Sequence, residues 1–405
     1  MSSKNYIQVF EYQLLKCGSI FKKKHLAALS KLNALHNDCY FDLRYNGVKF
    51  KNYVGVFQVD DLTIEILPKI DSQEKDKKLW HDVLISMLKV TKKLNVQKVG
   101  NANVSKQNLH LLDIYFDWFL DEVEKLIHLG LIKQYNRETG NVKALKGKLE
   151  FAGHLRKNLI HKERFYTTHQ VYNKDHLIHQ ILGYALAIIE NFSKGSSIYS
   201  RCKSVQLDFP EVKQVSIDHR TFSRLKLNRK TSAYKTALEI ARFIILQYAP
   251  NIKHGQESMI ALLFDMNSLW EEFILNRIKY SARKSEDHIE VYGQRSKRFW
   301  QNVTIRPDIV VRKNEKITII DTKWKNIGSS KPSTQDLRQM FVYNEYWDSS
   351  ESILLYPTPD QSNAPNFSSY KNIEHSCGIG KLNIINDGKL NLEVGNEIID
   401  WIKDR

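Results

Sequence analysis

The sequence predicts an α+β, multidomain chain. It reads as strand-rich over about residues 1–72, mainly helical over 76–250, and as a mixed sheet flanked by helices over 251–405. Three observations carry this prediction. Runs of β-branched and aromatic residues separated by turn signals fill the first part. Apolar residues at helical spacing dominate the middle. Beyond Pro250-Asn251, a long amphipathic segment precedes two β-branched runs joined by a polar turn. A length of 405 residues suits two or three domains, and a 42% hydrophobic content is ample for filled cores.

Tyr40–Tyr45, Val48–Val59 and Leu62–Leu67 read as strands, with Asn46-Gly47 and Asp60-Asp61 as turns and Gly55 as a bulge. Pro68 ends the third strand because it has no N–H for a ladder. Glu65 and Lys69 beside it read as fold or partner-contact residues. Helical periodicity then covers Leu79–Leu94 and Leu109–Leu129, the second closed by Gly130. Tyr115, Phe116, Trp118 and Phe119 sit at core spacing among leucines, so they read as packing rather than base stacking. Asn136–Lys148 is polar and basic. It lacks the G-x-x-x-x-G-K-[ST] spacing, with Leu149 where the metal-binding hydroxyl belongs, so no nucleotide hydrolysis is expected of the chain.

His154, His161, His169, His176 and His179 come without cysteine partners or an H-E-x-x-H, and no zinc site is expected. Asp175–Phe192 and Leu238–Tyr248 read as helices, the latter closed by Pro250. Between them, Arg220, Arg224, Lys226, Arg229, Lys230 and Lys235 form a basic cluster that suits phosphate, solvent or a protein surface equally. Glu257–Ala282 reads as one long helix with Glu271 or Glu272 at the edge of its apolar stripe. Thr334–Trp347 is a helix with Gln339 and Tyr343 one turn apart. Ile353–Tyr356, Leu382–Ile385 and Leu390–Val394 read as strands and Glu397–Lys403 as a terminal helix.

The net charge of +16 points to a polyanionic partner, nucleic acid first. No apolar run approaches the roughly 20 residues that span a bilayer, so no membrane insertion is expected. Lys4, Glu11 and Lys16 interrupt any signal core. Cys17, Cys39, Cys202 and Cys377 show no CxxC spacing, and a cytoplasmic setting fits best.

The chemistry concentrates in Val303–Lys325, read as a β-hairpin turning at Lys313–Lys316. Strand alternation puts Asp321 and Lys323 on one side and Thr322 and Trp324 on the other. A turn centred on Asn314 and Glu315 sets Asp308 opposite Asp321. Facing carboxylates repel, and a cation resolves the conflict: Mg2+, with Mn2+ as an alternative, takes one or two carboxylates plus waters and phosphate oxygens. Such an ion activates water for attack on a phosphodiester, and a lysine offsets developing charge.

Pro307-Asp308 followed by Asp321-Thr322-Lys323 resembles the PD-(D/E)xK nuclease signature. The wider set is similar to the McrC family, nuclease subunits of McrBC-type (5-methylcytosine) restriction systems. It comprises I-E-I-L-P-K from Ile64, L-K-G-K-L-E-F from Leu145, F-D-M-N-S-L-W-E-E-F from Phe264, Arg306-Pro307-Asp308, D-T-K from Asp321, and the Gln339–Tyr343 pair. The resemblance implies a PD-(D/E)xK nuclease domain over 251–405 and a partner-engaging region over 1–250. It implies Asp308 and Asp321 as metal ligands, Lys323 as catalytic lysine, Glu271 as the helix acid and Gln339 as an auxiliary cleft residue. It further implies a Mg2+-dependent DNA endonuclease subunit, for antiviral defence, that works with and stimulates a hexameric McrB-like AAA+ GTPase. Whether two nuclease domains pair to cut both strands stays open, as do the modification recognised and the partner's nucleotide. The competing readings are an autonomous structure-specific nuclease and a non-catalytic DNA-binding adaptor of an AAA+ motor.

Overall fold

The computed structural model describes residues 5–35, 39–59, 61–71, 75–93, 110–249, 259–328, 330–371 and 374–403. Asp60, Leu94, Leu109, Pro250 and the expected helix start at Glu257 lie outside the described residues. The chain divides into two compact units, one from Gln97–Leu262 and the other combining Lys4–Val96 with Leu263–Arg405. A division at residue 250 therefore does not match the compact units, because the N-terminal strands cluster with the C-terminal half. The reason is long-range packing that no local pattern announces. The helix Lys77–Val90 packs on the helix Met266–Lys284. Lys93 pairs with Glu272 at 3.0 Å, and the Trp324 indole N–H donates to Glu11 Oε1 at 2.7 Å.

In the larger unit, Asn5–Phe10 lies parallel to Leu62–Leu67, which pairs antiparallel with Tyr53–Val59. All of Leu62–Leu67 is buried, including Glu65. Glu65 accepts from Gln8 Nε2 at 2.9 Å and meets His81 Nδ1 at 3.0 Å, so the carboxylate is satisfied inside the fold. The expected strand Val48–Val59 is two strands, Gly47–Phe50 and Tyr53–Val59, broken at Lys51-Asn52. Gly55 keeps register opposite Ile66, so it is not a bulge. Asn46 takes φ +55° at the hairpin turn. A Cβ on the following Gly47 would lie 2.4 Å from the Leu15 carbonyl oxygen, so only glycine fits there.

A six-stranded mixed sheet forms the rest of this unit. Its spatial order is Ile289–Gly293, Ile309–Lys313, Lys316–Thr322, Glu351–Thr358, Ser376–Asn383 and Asn363–Ser369. The first three strands are antiparallel neighbours, and the next two pairings are parallel. The expected single helix from Glu257 begins as a strand, Met259–Asp265, and turns helical only at Met266–Lys284. A short continuous apolar run fits a buried strand as well as a helix, and period alone does not separate them. Asp265 closes the matter locally, since its side chain caps the helix by accepting from Ser268 N at 2.8 Å. Leu390–Val394 is likewise mostly not strand: the strand is Lys389–Leu390, and a helix runs Val394–Lys403.

The smaller unit holds the helices Leu111–Leu129, Leu177–Phe192, Ser197–Asp208 and Lys235–Leu246. Tyr115, Phe116, Trp118 and Phe119 are buried, as core spacing predicts. Gln134–Val142 is a strand, paired along its length with Phe165–Asn173. Its alternate residues are polar on both faces, so the apolar alternation that marks strands is missing. Gly147, inside L-K-G-K-L-E-F, takes φ +69° and passes so close to Thr168 that a Cβ would meet its carbonyl oxygen. His176 and His179 are buried with ring centroids 4.0 Å apart. His179 spans from the Lys174 carbonyl at 2.7 Å to the Tyr234 hydroxyl at 3.0 Å, and burial lowers its pKa to about 4. The side chains of the basic cluster 220–235 are exposed.

Glu11 Oε1 also accepts from the Lys69 amide at 3.0 Å, while Oε2 has no hydrogen-bond partner. Burial pushes this carboxyl from 4.5 up to about 7. A raised carboxyl stabilises below its unfolded pKa, and that contribution is lost as pH rises through about 7. The full shift corresponds to about 3 kcal/mol. Glu11→Gln keeps the acceptor and removes the charge. In thermal unfolding it should therefore gain on the parent chain as pH goes from about 5 to about 8. Parallel pH profiles for the two would remove this account of Glu11.

Candidate active site

The hairpin forms with the predicted register: Lys313 pairs with Lys316 and Ile309 with Ile320. One step further brings Asp308 opposite Asp321. The register follows from the β-branched residues alternating on both arms and from Asn314 at φ +55° in the turn. The expected hairpin start at Val303 belongs elsewhere. Val303–Ile305 pairs with Lys297–Trp300 in a separate two-stranded ribbon, and Pro307 separates the two hairpins.

Asp321 is 1% exposed. Its Oδ1 accepts from Gln339 Nε2 at 3.3 Å, and Oδ2 lies 2.6 Å from Lys323 Nζ. Asp308 Oδ2 accepts from the Thr322 amide at 2.7 Å and the Thr322 hydroxyl at 3.0 Å. The middle residue of D-T-K thus orients the opposite acid through backbone and side chain together. Lys323 also lies 3.5 Å from Gln339 Oε1 and 4.0 Å from Asp336. Its own amide donates to Leu355 on the neighbouring parallel strand, which fixes the stem of the side chain.

The helix Thr334–Trp347 supplies the wall of the cleft. Ser333 caps it by accepting from the Asp336 amide. Met340, Tyr343 and Trp347 pack into the core with Val310, Ile319 and Leu354, and this turns Gln339 toward the acids. Gln339 Nε2 donates to Tyr343 Oη at 2.8 Å, and that hydroxyl donates to the Arg306 carbonyl at 2.9 Å. The chain entering Asp308 is thereby tied to the helix. On the other side, Gln294 donates its amide to the Asp308 carbonyl at 2.9 Å and its side chain to Glu271 Oε1 at 2.7 Å. Glu272 points instead to Lys93, so Glu271 is the helix acid that borders the pair.

Burial raises all three carboxyl groups, and Asp308 raises its two acidic neighbours further. Burial and then Asp308 push Asp321 from 3.8 up to about 7, against Lys323. Burial and then Asp308 push Glu271 to about 7, against Gln294 and Arg306. Burial also raises Asp308, against the Thr322 donors and Lys323. Burial works against the Lys323 ammonium, yet Asp321, Asp308 and Asp336 hold its pKa above the ordinary lysine value. A buried cluster of acids with one lysine has more negative charge than it neutralises, which is the condition a hard cation relieves. Among the described residues no three His, Cys, Asp or Glu side chains form a closed metal cluster. Two aspartates alone leave an open set of oxygens, of the kind that would suit an ion keeping several waters.

All five side chains expected at the site therefore belong to one network, Asp308 through Thr322 and Glu271 through Gln294. Thr322, Gln294, Arg306 and Asp336 join the site beyond the residues the sequence singles out. The place of Thr322 inside D-T-K is a signal for it. Gln294 follows the strand Ile289–Gly293, which carries no clear pattern signal.

Fold and site together define a multidomain chain of mixed α/β sheets and helices. It is similar over 98% of its length, and all of the other chain, to McrC in a half-complex of the tetradecameric assembly of Thermococcus gammatolerans McrB AAA+ hexamers, with TM-score 0.69 and 19% identity. A second structure, the Thermococcus gammatolerans McrBC complex, matches 70% of this chain and 90% of its own with TM-score 0.50 at 19% identity. A curated relative, the type IV methyl-directed restriction enzyme EcoKMcrBC of Escherichia coli K12, is 25% identical over 288 residues, 65% of this chain and 82% of that protein. The chain belongs to the McrBC 5-methylcytosine restriction system component family, whose pattern it matches over residues 48–357. Among the described residues no helix is long and apolar enough to cross a membrane.

Asp321→Asn should stabilise the metal-free protein at about pH 8, by on the order of 3 kcal/mol, and by little at about pH 5. The sign follows from a raised carboxyl, whose stabilising contribution is lost as pH rises through about 7. Chemical denaturation at the two pH values measures this. A variant less stable than the parent at pH 8 would overturn the account of mutual repulsion.

Proposed function

We propose that this chain is the Mg2+-dependent DNA endonuclease subunit of a modification-dependent restriction system, cutting together with a hexameric AAA+ GTPase whose hydrolysis it stimulates; Mn2+ is the alternative ion. The observation that carries the reading is the meeting of Asp308, Asp321 and Lys323 at one buried point, with Glu271 and Gln339 beside them. In this reading the cleft is a PD-(D/E)xK nuclease centre, the larger unit carries it, and the smaller unit engages the partner.

Asp308 and Asp321 would hold the ion, and Glu271 lies where it can accept a proton or a water. Once bound, a divalent cation supplies charge neutralisation at the scissile phosphate and makes water acidic enough to act as nucleophile near neutral pH. The chain's own residues do the rest. Thr322 fixes the Asp308 carboxylate by two hydrogen bonds, so the acid does not swing away from its neighbour. Lys323 places an ammonium beside Asp321 where it can orient the attacking water or meet charge building on phosphate. Gln339 holds Asp321 and Lys323 at once, keeping the lysine directed into the cleft. Glu271 and Gln294 line the entry on the side of the helix Met266–Lys284.

Support for the partner comes from the family and from the Thermococcus gammatolerans assembly, in which McrC is bound to McrB AAA+ hexamers. The smaller unit exposes Leu145, Phe151, Leu155, Leu159 and Ile160 among Lys146, Lys148, Arg156 and Lys157. A group of exposed apolar side chains on a basic segment suits a protein contact.

Cleavage of methylated plasmid with partner, GTP and Mg2+ should fall at least about a hundredfold in Asp321→Ala and in Lys323→Ala, while DNA binding persists. Undiminished cutting by Asp321→Ala would remove the assignment. Cutting by the purified chain without partner or nucleotide would favour the autonomous nuclease instead. Phe151→Asp combined with Leu155→Asp should abolish stimulation of partner hydrolysis without changing the thermal midpoint. Retained stimulation would move the docking surface elsewhere.

A further inference from the structure

The ribbon Lys297–Trp300 and Val303–Ile305 runs directly into Arg306-Pro307-Asp308, and we propose that it is a DNA-gripping hairpin whose Trp300 wedges into duplex DNA beside the scissile phosphate. The inference rests on the nuclease reading of the cleft and adds a binding element to it.

The ribbon is rooted firmly. Lys297 Nζ donates to the Tyr346 carbonyl and lies 5.2 Å from the centre of the Trp347 ring. The Phe299 ring packs against Tyr346 with centroids 5.4 Å apart, and the Tyr346 hydroxyl donates to the Phe299 carbonyl. Tyr346 and Trp347 stand on the same helix as Gln339 and Tyr343, and Tyr343 holds the Arg306 carbonyl. Root and cleft therefore share one helix, and the tip keeps a fixed relation to Asp308.

The tip itself is unsupported. Trp300 is 62% exposed, Val303 and the edge of Phe299 are also exposed, and Gln301 takes φ +45° to turn the chain. Segment 291–307 contains Arg295, Lys297, Arg298 and Arg306 and no acid. Among the described residues no carboxylate lies within ion-pair distance of Arg295, Arg298 or Arg306. An indole held out in water at the end of a two-residue turn, with the Arg298 guanidinium two residues before it, contributes nothing to the core. It matches what DNA offers, phosphates at the rim and a base stack within. A two-stranded ribbon enters the major groove, and apolar wedges unstack base steps at the cost of bending the duplex. Val303, the cross-strand partner of Trp300, is five residue steps from Asp308, a reach of at most about 18 Å. At 3.4 Å per base step, the wedge acts within about five steps of the cut.

The test uses the full chain with its partner, GTP and Mg2+, in the Asp321→Ala background that binds without cutting. The probe is a methylated duplex carrying 2-aminopurine scanned through successive positions. Trp300→Ala should weaken binding by roughly tenfold or more, as loss of a base-stacking aromatic does, and should abolish a 2-aminopurine brightening confined to a few neighbouring positions. Trp300→Phe should keep most of both, and Arg298→Ala should lower the slope of affinity against salt by about one ion. If Trp300→Ala binds as the parent does and the brightening persists, the wedge is wrong while the nuclease reading stands. If Asp321→Ala still cuts, the nuclease reading falls, and anisotropy with 2-aminopurine alone decides the hairpin. Loss of self-association in DNA-free light scattering, with binding to DNA unchanged, would make the tip a contact between copies of this chain and overturn the proposal.

Discussion

The structure depends on keeping like charges together in a dry place. Asp308 and Asp321 face one another because the hairpin can close in only one register without turning its apolar residues to the wrong face. Nothing in packing demands two acids there; burial raises the pKa of both, and Asp308 raises that of Asp321 further. The fold contains that repulsion with fixed donors: Thr322 on Asp308, Gln339 on Asp321, Lys323 between. Each donor is in turn held from behind. The Leu355 carbonyl takes the Lys323 amide, Tyr343 takes Gln339, and the Arg306 carbonyl takes Tyr343. The site is thus a frame of fixed donors in which the neutralising charge is left incomplete.

That frame draws on parts of the chain far apart in sequence. The antiparallel hairpin supplies the acids, a parallel strand anchors the lysine, and one helix both closes the cleft and roots the ribbon Lys297–Ile305. The helix Met266–Lys284 contributes Glu271 through its capped start at Asp265, while its next residue, Glu272, is drawn off by Lys93. A one-residue difference in helical phase thereby separates a site acid from a structural ion pair.

How much of this could be read from residues alone follows from the range of the forces involved. The hairpin register was legible because β-branched alternation and a polar turn are local. The placement of Asp308 opposite Asp321 followed from counting residues. Amphipathic helices at Leu111–Leu129 and Leu177–Phe192 were legible for the same reason. Met259–Asp265 was not, since an unbroken apolar run has no period to distinguish strand from helix. Gln134–Val142 escaped because its strand is polar on both faces. The choice between Glu271 and Glu272 waited on Lys93, almost two hundred residues away in the chain. The grouping of the first strands with the last sheet had no local signature at all.

The hydrogen bond from Trp324 to Glu11 has a practical corollary for anyone dissecting this chain. Trp324 immediately follows Lys323, and its ring packs on Trp270 at 5.4 Å between centroids. A fragment begun after residue 250 would strip the N-terminal segment from this indole, leaving its N–H without the Glu11 acceptor and a tryptophan pair open to solvent next to Lys323. Excision at the apparent boundary would therefore yield a damaged piece rather than a self-standing domain. The behaviour of such a fragment would report on missing scaffolding before anything else.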